Sequence, residues 1–121
     1  MSKIDFAEDF KKRTKQFAID IIYLYRRLPK TEEGKIIGRQ LIRAATSVAS
    51  NYRAVCRARS DNEFYAKLSI VVEEADETVF WLEVISESEI YSVEQKLMKE
   101  SNEILAVVSA SRKTMKSGRT S

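Results

Sequence analysis

The stretch SDNEFYAKLSIVVEEADETVFWLEVISE, residues 60–87, decides the fold class. Its apolar side chains recur at alternating steps of four and three residues, which is the period of one face of an α-helix. Ser60 followed by Glu63 has the spacing of a capping box, so a helix is predicted to begin at Ser60. The inward-facing seam consists of Phe64, Leu68, Val71, Ala75, Thr78, Leu82 and Ile85.

Two more helices are predicted before this stretch, separated by the only proline of the chain. The first runs from about Asp5 to Leu28 and ends there because Pro29 disfavours a helical conformation in the preceding residue. The second begins at about Glu32, with Thr31 as its N-cap. The buried stripe of the first is Phe6, Phe10, Phe17, Ile21, Leu24 and Leu28. That of the second is Ile37, Leu41, Ala44, Ala45, Val48, Tyr52 and Val55.

A fourth helix is predicted to begin at Ser92, which with Gln95 has the spacing of a second capping box. Its inward residues are Val93, Leu97, Ile104, Leu105 and Val108. Four helices of similar length with short links favour antiparallel neighbours. The predicted fold is therefore all-α, an antiparallel up-down-up-down four-helix bundle forming one domain over residues 1–121, with a disordered tail at about 117–121.

Composition excludes several classes of protein. No apolar run reaches the roughly 20 residues that a membrane span needs. The N-terminus, MSKIDFAEDFKKR, lacks the apolar core of a secretory signal, so we expect a cytoplasmic protein. Histidine, the commonest general base and transition-metal ligand, is absent. We therefore expect no enzyme and no catalytic residue, and neither a cofactor, a metal site, a membrane partner nor a small-molecule substrate.

Charge is unevenly distributed along the chain, although its net value is only +3. Residues 30–59 carry seven basic and two acidic side chains, whereas residues 60–90 carry one basic and nine acidic. At about 100° per residue, the cations of the second helix fall opposite its buried stripe. This surface, here the basic strip, consists of Lys35, Arg39, Arg43, Arg53 and Arg57, with Thr46 and Ser50 between the two basic clusters.

Three interpretations of the basic strip remain open. Arginine forks bind phosphate oxygens and hydroxyl groups donate to them, so the strip suits a polyanion such as RNA or DNA. It also suits contact with a partner protein. The third interpretation is an ordinary solvated helix face.

The third helix carries large apolar residues on the side away from its seam. This surface, here the acidic-aromatic face, consists of Ile70, Glu73, Glu77, Phe80, Trp81 and Val84. Apolar residues ringed by carboxylates are typical of protein–protein interfaces. We therefore expect a homo-oligomer in which the acidic-aromatic face of one copy pairs with the basic strip of the next.

The remaining polar residues give little indication of a functional site. The carboxylates at positions 73, 74, 76 and 77 point outward and lack a histidine partner, so no metal site is predicted. Cys56 falls at the edge of the seam and is interpreted as a packing residue, since a lone cysteine without histidine has no base. Asn51 lies near the core edge, where we expect a buried amide with its hydrogen bonds satisfied.

The stretch QLIRAATSVASNYRAVCRARS, residues 40–60, is followed by EFYAKLSIVVEEADETVFWLE, residues 63–83. Together they resemble a bacterial family of four-helix bundles known from intervening sequences inserted in 23S ribosomal RNA genes. The resemblance extends from Phe10 through the fourth helix. Where many members read Asn-Ile-x-Glu-Gly, this chain has the residues at 51–55, NYRAV, and so looks like an arginine-bearing subgroup. The most specific parts of the resemblance are Ser47–Asn51 with Tyr52, Arg59–Ser60, Glu63–Phe64, and Glu77 with Phe80–Trp81–Leu82.

This resemblance implies an antiparallel bundle that assembles as a homopentamer. It also implies kinship with the accessory variability protein of diversity-generating retroelements, a basic pentamer that binds nucleic acid and a reverse transcriptase. No catalytic residues come with the family. The leading hypothesis is a non-enzymatic oligomer that binds structured RNA or DNA, or a ribonucleoprotein. The alternative is a scaffold or adaptor whose basic strip is used in subunit contacts.

Overall fold

The computed structural model describes residues 2–120, with side chains described as far as residue 115. It contains four α-helices, α1 (Lys3–Arg27), α2 (Glu32–Val55), α3 (Asp61–Glu87) and α4 (Gln95–Thr120), and no strand over this range. The predicted all-α four-helix fold is confirmed. The predicted disordered tail at about 117–121 lies outside the residues whose side chains are described.

The N-terminal caps of α2 and α3 are those predicted. The Thr31 hydroxyl accepts a hydrogen bond from the Gly34 backbone N–H at 3.2 Å, and the Ser60 hydroxyl accepts one from the Glu63 N–H at 3.1 Å. The Glu63 carboxylate reaches back to the N–H of Arg59, one residue before the cap, at 3.3 Å. Each cap satisfies a backbone donor that the first helical turn leaves unpaired.

Helix α1 begins two residues earlier than predicted. Ser2 acts as its N-cap and accepts a hydrogen bond from the Asp5 N–H at 3.1 Å. At the other end, Leu28 adopts an extended conformation with φ −66° and ψ 147°, as expected for a residue that precedes proline. Pro29 thus ends α1, although Arg27 rather than Leu28 is its last helical residue.

The predicted start of α4 at Ser92 is wrong, because the helix begins at Gln95. The link from α3 turns at Glu89, which has a positive φ of 63°. After this turn, Tyr91 and Val93 pack against the core, and this anchoring holds the segment in a non-helical path. A capping-box spacing is therefore not sufficient to locate the start of a helix when the neighbouring residues are needed to cover the core.

The core runs along the bundle axis and is built from the predicted stripes. Phe6 is the exception: it is 44% exposed and stacks on the Phe10 ring, with 5.8 Å between centroids. Phe6 lies in the first turn of α1. The last layer of the core at this end of the bundle is formed by Phe10 and Tyr52, whose rings meet edge-to-face, and Phe6 lies beyond it. The fully buried large side chains include Ile21, Leu24, Leu41, Val48, Leu68, Val71, Leu82, Ile85, Ile104 and Val108.

Contacts between helices fit the predicted alternation of direction. The Phe10–Tyr52 ring contact joins the start of α1 to the end of α2, and Arg43 in the middle of α2 lies beside Glu74 in the middle of α3. Arg27, the last residue of α1, pairs at 3.7 Å with Glu94, the residue before α4. Arg13 in the middle of α1 pairs with Glu100 further along α4 at 2.6 Å. The contact between α2 and α3 is the most extensive of the contacts between helices. Over the described residues, no helix is long and apolar enough to cross a membrane.

Candidate nucleic-acid interface

All five cations of the basic strip are exposed. Four of them lie on α2, whereas Arg57 follows the C-cap residue Cys56 and lies in the turn towards α3. Within the described side chains, Lys35, Arg39, Arg53 and Arg57 form no ion pair, so their charges face solvent. The helical wheel thus predicted the exposure of these residues correctly.

Arg43 differs from the other four cations because its guanidinium group is held within the chain. Its Nη1 lies 3.2 Å from the Glu74 carboxylate, its Nη2 donates to Glu77, and its Nε lies 3.5 Å from the amide oxygen of Gln40. The hydrogen bond from Arg43, with a second from the Trp81 indole at 3.1 Å, holds the pKa of Glu77 below its usual value. Arg43 is therefore exposed, as predicted, but its guanidinium group is already paired with two carboxylates of its own chain.

The cause is the close packing of α2 against α3. A long arginine side chain that leaves α2 opposite the core can bend sideways to the flank of α3, where the two carboxylates lie. The basic and acidic helices therefore pair within one copy at Arg43, rather than only between copies as the sequence suggested. The antiparallel register about the turn at 56–60 was a signal for this contact, since it places residue 43 level with residues 74–77.

The two hydroxyl residues of the basic strip donate to their own helix. Thr46 Oγ1 lies 2.7 Å from the Ile42 carbonyl oxygen, and Ser50 Oγ lies 3.3 Å from that of Ser47. Such bonds to the preceding turn are common for serine and threonine inside helices. Because each hydroxyl has a single proton, neither donates to a phosphate in this arrangement.

The acidic-aromatic face of α3 is only partly solvent-exposed. Ile70 and Phe80 are 42% and 51% exposed, and Glu73 is exposed as well. Trp81 and Val84 are half-buried, and Trp81 packs against the core. Trp81 and Val84 were predicted on the side of α3 away from its buried seam; they are less exposed than Phe80, and the Trp81 indole donates to Glu77 and packs against the core. Phe80 packs edge-on against the indole, with 4.9 Å between ring centroids.

Cys56 and Asn51 have different outcomes. Cys56 is exposed, so its assignment as a packing residue is wrong; α2 ends at Val55, and the cysteine leaves the buried face. Partial burial of its thiol raises the pKa. Asn51 is half-buried and donates to the Ser47 carbonyl and hydroxyl oxygens at 2.9 and 2.8 Å. The predicted satisfied amide is confirmed.

Two shallow clefts lie on the part of the bundle whose side chains are described. One, of about 670 Å³, lies between α1 and α4 and mixes carboxylates with Arg27, Lys96 and Lys99. The other, of about 300 Å³, lies between α3 and α4 beside Tyr65 and Arg112. Neither lining contains cysteine, and no described group of three acidic or cysteine side chains is close enough together to hold a metal ion.

Comparison with known proteins places this chain in a family. The profile of the family described as 23S rRNA-intervening sequence protein matches residues 8–110. A crystal structure from Bacteroides thetaiotaomicron, of a protein with unknown function from the S23 ribosomal protein family, superimposes with a TM-score of 0.80 and 30% sequence identity. The match covers 88% of this chain and 97% of that one. Among curated proteins, none matches. The chain belongs to the 23S rRNA-intervening sequence protein family.

Proposed function

We propose that this protein is a non-enzymatic, homo-oligomeric helical bundle that binds structured RNA or DNA, alone or in a ribonucleoprotein, through the basic strip. The observation that carries the proposal is the row of four exposed cations, Lys35, Arg39, Arg53 and Arg57, none of which has an acidic partner in the described structure. On α2 alone the row extends over about 27 Å from Lys35 to Arg53. Exposed guanidinium groups are well suited to bidentate contact with phosphate oxygens.

The family gives a reason to test RNA first. Its description names 23S rRNA, and the similar crystal structure comes from a family named for ribosomal proteins. Binding would arise mainly from neutralisation of phosphate charge, with little direct reading of bases. Several copies of the strip in one assembly would raise the overall affinity without any new contact.

The acidic-aromatic face supports self-association. Exposed Ile70 and Phe80 present apolar surface beside Glu73, a composition that suits the centre and rim of a subunit contact. We include the homopentamer in the proposal as the assembly that the family resemblance implies. Mass measurement of the native protein tests it, and Phe80→Ser combined with Ile70→Ser is expected to reduce the mass to that of a smaller species.

The binding experiment uses the triple variant Arg39→Gln, Arg53→Gln and Arg57→Gln. Its control, Lys12→Gln, Lys15→Gln and Lys96→Gln, removes the same charge from exposed lysines on α1 and α4. Affinity for a structured RNA is measured against salt concentration. The strip variant is expected to reduce the slope of log affinity against log salt by about 2 to 3, while the control leaves it nearly unchanged. Equal loss in both variants would show that overall charge, not the strip, governs binding.

The alternative function is a scaffold in which the basic strip contacts the neighbouring subunit. The exposed apolar residues of α3 favour self-association, which both the scaffold function and the nucleic-acid-binding function require. Because Arg43 is engaged within its own chain, the distinguishing variant is Arg39→Glu with Arg53→Glu. Under the scaffold function this charge reversal dissociates the oligomer. Under the nucleic-acid function the oligomer persists and loses RNA binding.

A further inference from the structure

The basic strip is divided into two separate clusters. The upper cluster consists of Lys35 and Arg39, and the lower cluster of Arg53 and Arg57. Between Arg39 and Arg53, fourteen residues of helix span about 21 Å. All four side chains are exposed, so both clusters are accessible from the outer face of α2.

The region between the clusters disfavours phosphate. The single positive charge of Arg43 faces two carboxylates, those of Glu74 and Glu77, which leaves this central group with a net negative charge. Thr46 and Ser50 present oxygen lone pairs, because their protons are bonded to the backbone. A phosphate in this region would meet like charge and acceptors instead of donors.

We propose that the ligand of the basic strip is a double helix, with the upper cluster contacting one phosphate backbone, the lower cluster contacting the other, and α2 crossing the groove between them. This inference rests on the proposed function and specifies its ligand. The major groove of B-form DNA is about 12 Å wide, to which each backbone adds its own thickness. The wide minor groove of A-form RNA is likewise bordered by two backbones. A gap of about 21 Å between cation clusters suits both.

A single strand fits the same surface poorly. Its phosphates form one continuous row, and a row that reached both clusters would have to cross the negative centre around Arg43. A strand that avoided the centre would contact only one cluster. The arrangement therefore predicts a preference for duplex that depends on both clusters together.

The test measures affinity from the fluorescence anisotropy of labelled nucleic acids. The probes are an RNA duplex and an RNA single strand with the same number of nucleotides, and the corresponding DNA duplex and DNA single strand. The variants are Lys35→Gln with Arg39→Gln, Arg53→Gln with Arg57→Gln, and Arg43→Gln as the central control, which removes one charge where each cluster variant removes two. For the native sequence, the duplex is expected to bind at least about tenfold more tightly, since the second cluster engages after the first. Loss of either cluster is expected to abolish this preference and to reduce the duplex salt slope by about half.

Arg43→Gln is expected to leave the duplex salt slope unchanged. The inference is overturned if single strand and duplex bind equally, or if Arg43→Gln, with one charge removed, reduces the slope by half as much as the loss of a two-charge cluster. Both results still allow strip-dependent binding, so they refute the duplex geometry without refuting the proposed function. If no nucleic acid binds at low salt, the proposed function and this inference fail together. Circular dichroism of each variant confirms that a loss of binding does not reflect unfolding.

Discussion

Gly34 and Gly38 lie one turn apart in α2, and a methyl group added at each would meet different neighbours. At Gly34 the added carbon would lie well inside contact distance of the Pro29 carbonyl oxygen, and 3.0 Å from Thr31 Oγ1. At Gly38 it would lie 2.9 Å from two ring carbons of Tyr25. The first obstacle is the backbone of a proline, whereas the second consists of side-chain atoms only, the ring of half-buried Tyr25 and the Cδ1 of Leu28 at 3.0 Å.

The opposing free energies give different signs for the two substitutions. Alanine is favoured over glycine within a helix by about 1 kcal/mol. For Gly34→Ala, displacement of the Pro29 backbone costs about 1 to 3 kcal/mol as overpacking, and disturbing the Thr31 cap costs about 1 more. The net expectation is a loss of about 1 to 3 kcal/mol in the free energy of unfolding. For Gly38→Ala, a shift of the Tyr25 ring roughly offsets the helical gain, so the net change lies within about 1 kcal/mol of zero.

Urea and thermal denaturation of the two variants and the native sequence, followed by circular dichroism, provide the measurement. About 3 to 5 °C in Tm corresponds to each kcal/mol for a domain of this size. Protein concentration is held constant, because assembly would raise the apparent stability. The reasoning is refuted if Gly34→Ala is as stable as the native sequence, or if Gly38→Ala is the more damaging change.

Three further predictions concern pH and packing. The hydrogen bond from Arg13 lowers the pKa of Glu100 below its ordinary value of 4.5, so this carboxylate stabilises the fold above pH 4.5 and the contribution is lost as pH falls below it. Glu100→Gln should flatten that part of the stability–pH curve by at most about 1 kcal/mol, since the pair is near the surface. Burial raises the pKa of Tyr52 to about 12 from 10.0, so its contribution is present below pH 10 and disappears as pH approaches 12. Tyr52→Phe should remove both the late step in a tyrosinate absorbance titration and this alkaline loss of stability. Ser101 is 2% exposed, and its hydroxyl has no hydrogen-bond partner among the described residues. Ser101→Ala should therefore raise the free energy of unfolding by about 1 kcal/mol in urea titrations, and a decrease would show that the hydroxyl is satisfied.

Local sequence determined most of the secondary structure and the core. Several features depend only on neighbours within one or two helical turns, which the sequence displays directly. They are the caps at Thr31 and Ser60, the end of α1 before Pro29, and the buried stripes. For the same reason, helical periodicity located the exposed cations of α2. The incorrect start of α4 has a non-local cause, since Val93 is needed to cover the core.

Tertiary structure decided the partners of surface side chains. The sequence placed Arg43 and Trp81 away from the buried stripes, and only the tertiary structure shows that Arg43 pairs with Glu77 and that the Trp81 indole donates to the same carboxylate and packs against the core. The two basic clusters were visible in the sequence, but the tertiary structure showed that Arg43 of the first cluster is paired with carboxylates. A helical wheel gives the direction in which a side chain leaves its own helix, whereas its contacts depend on the rotation and register of the adjacent helix. Those quantities are set by the packing of the whole core, and they fix which arginines remain available to a ligand.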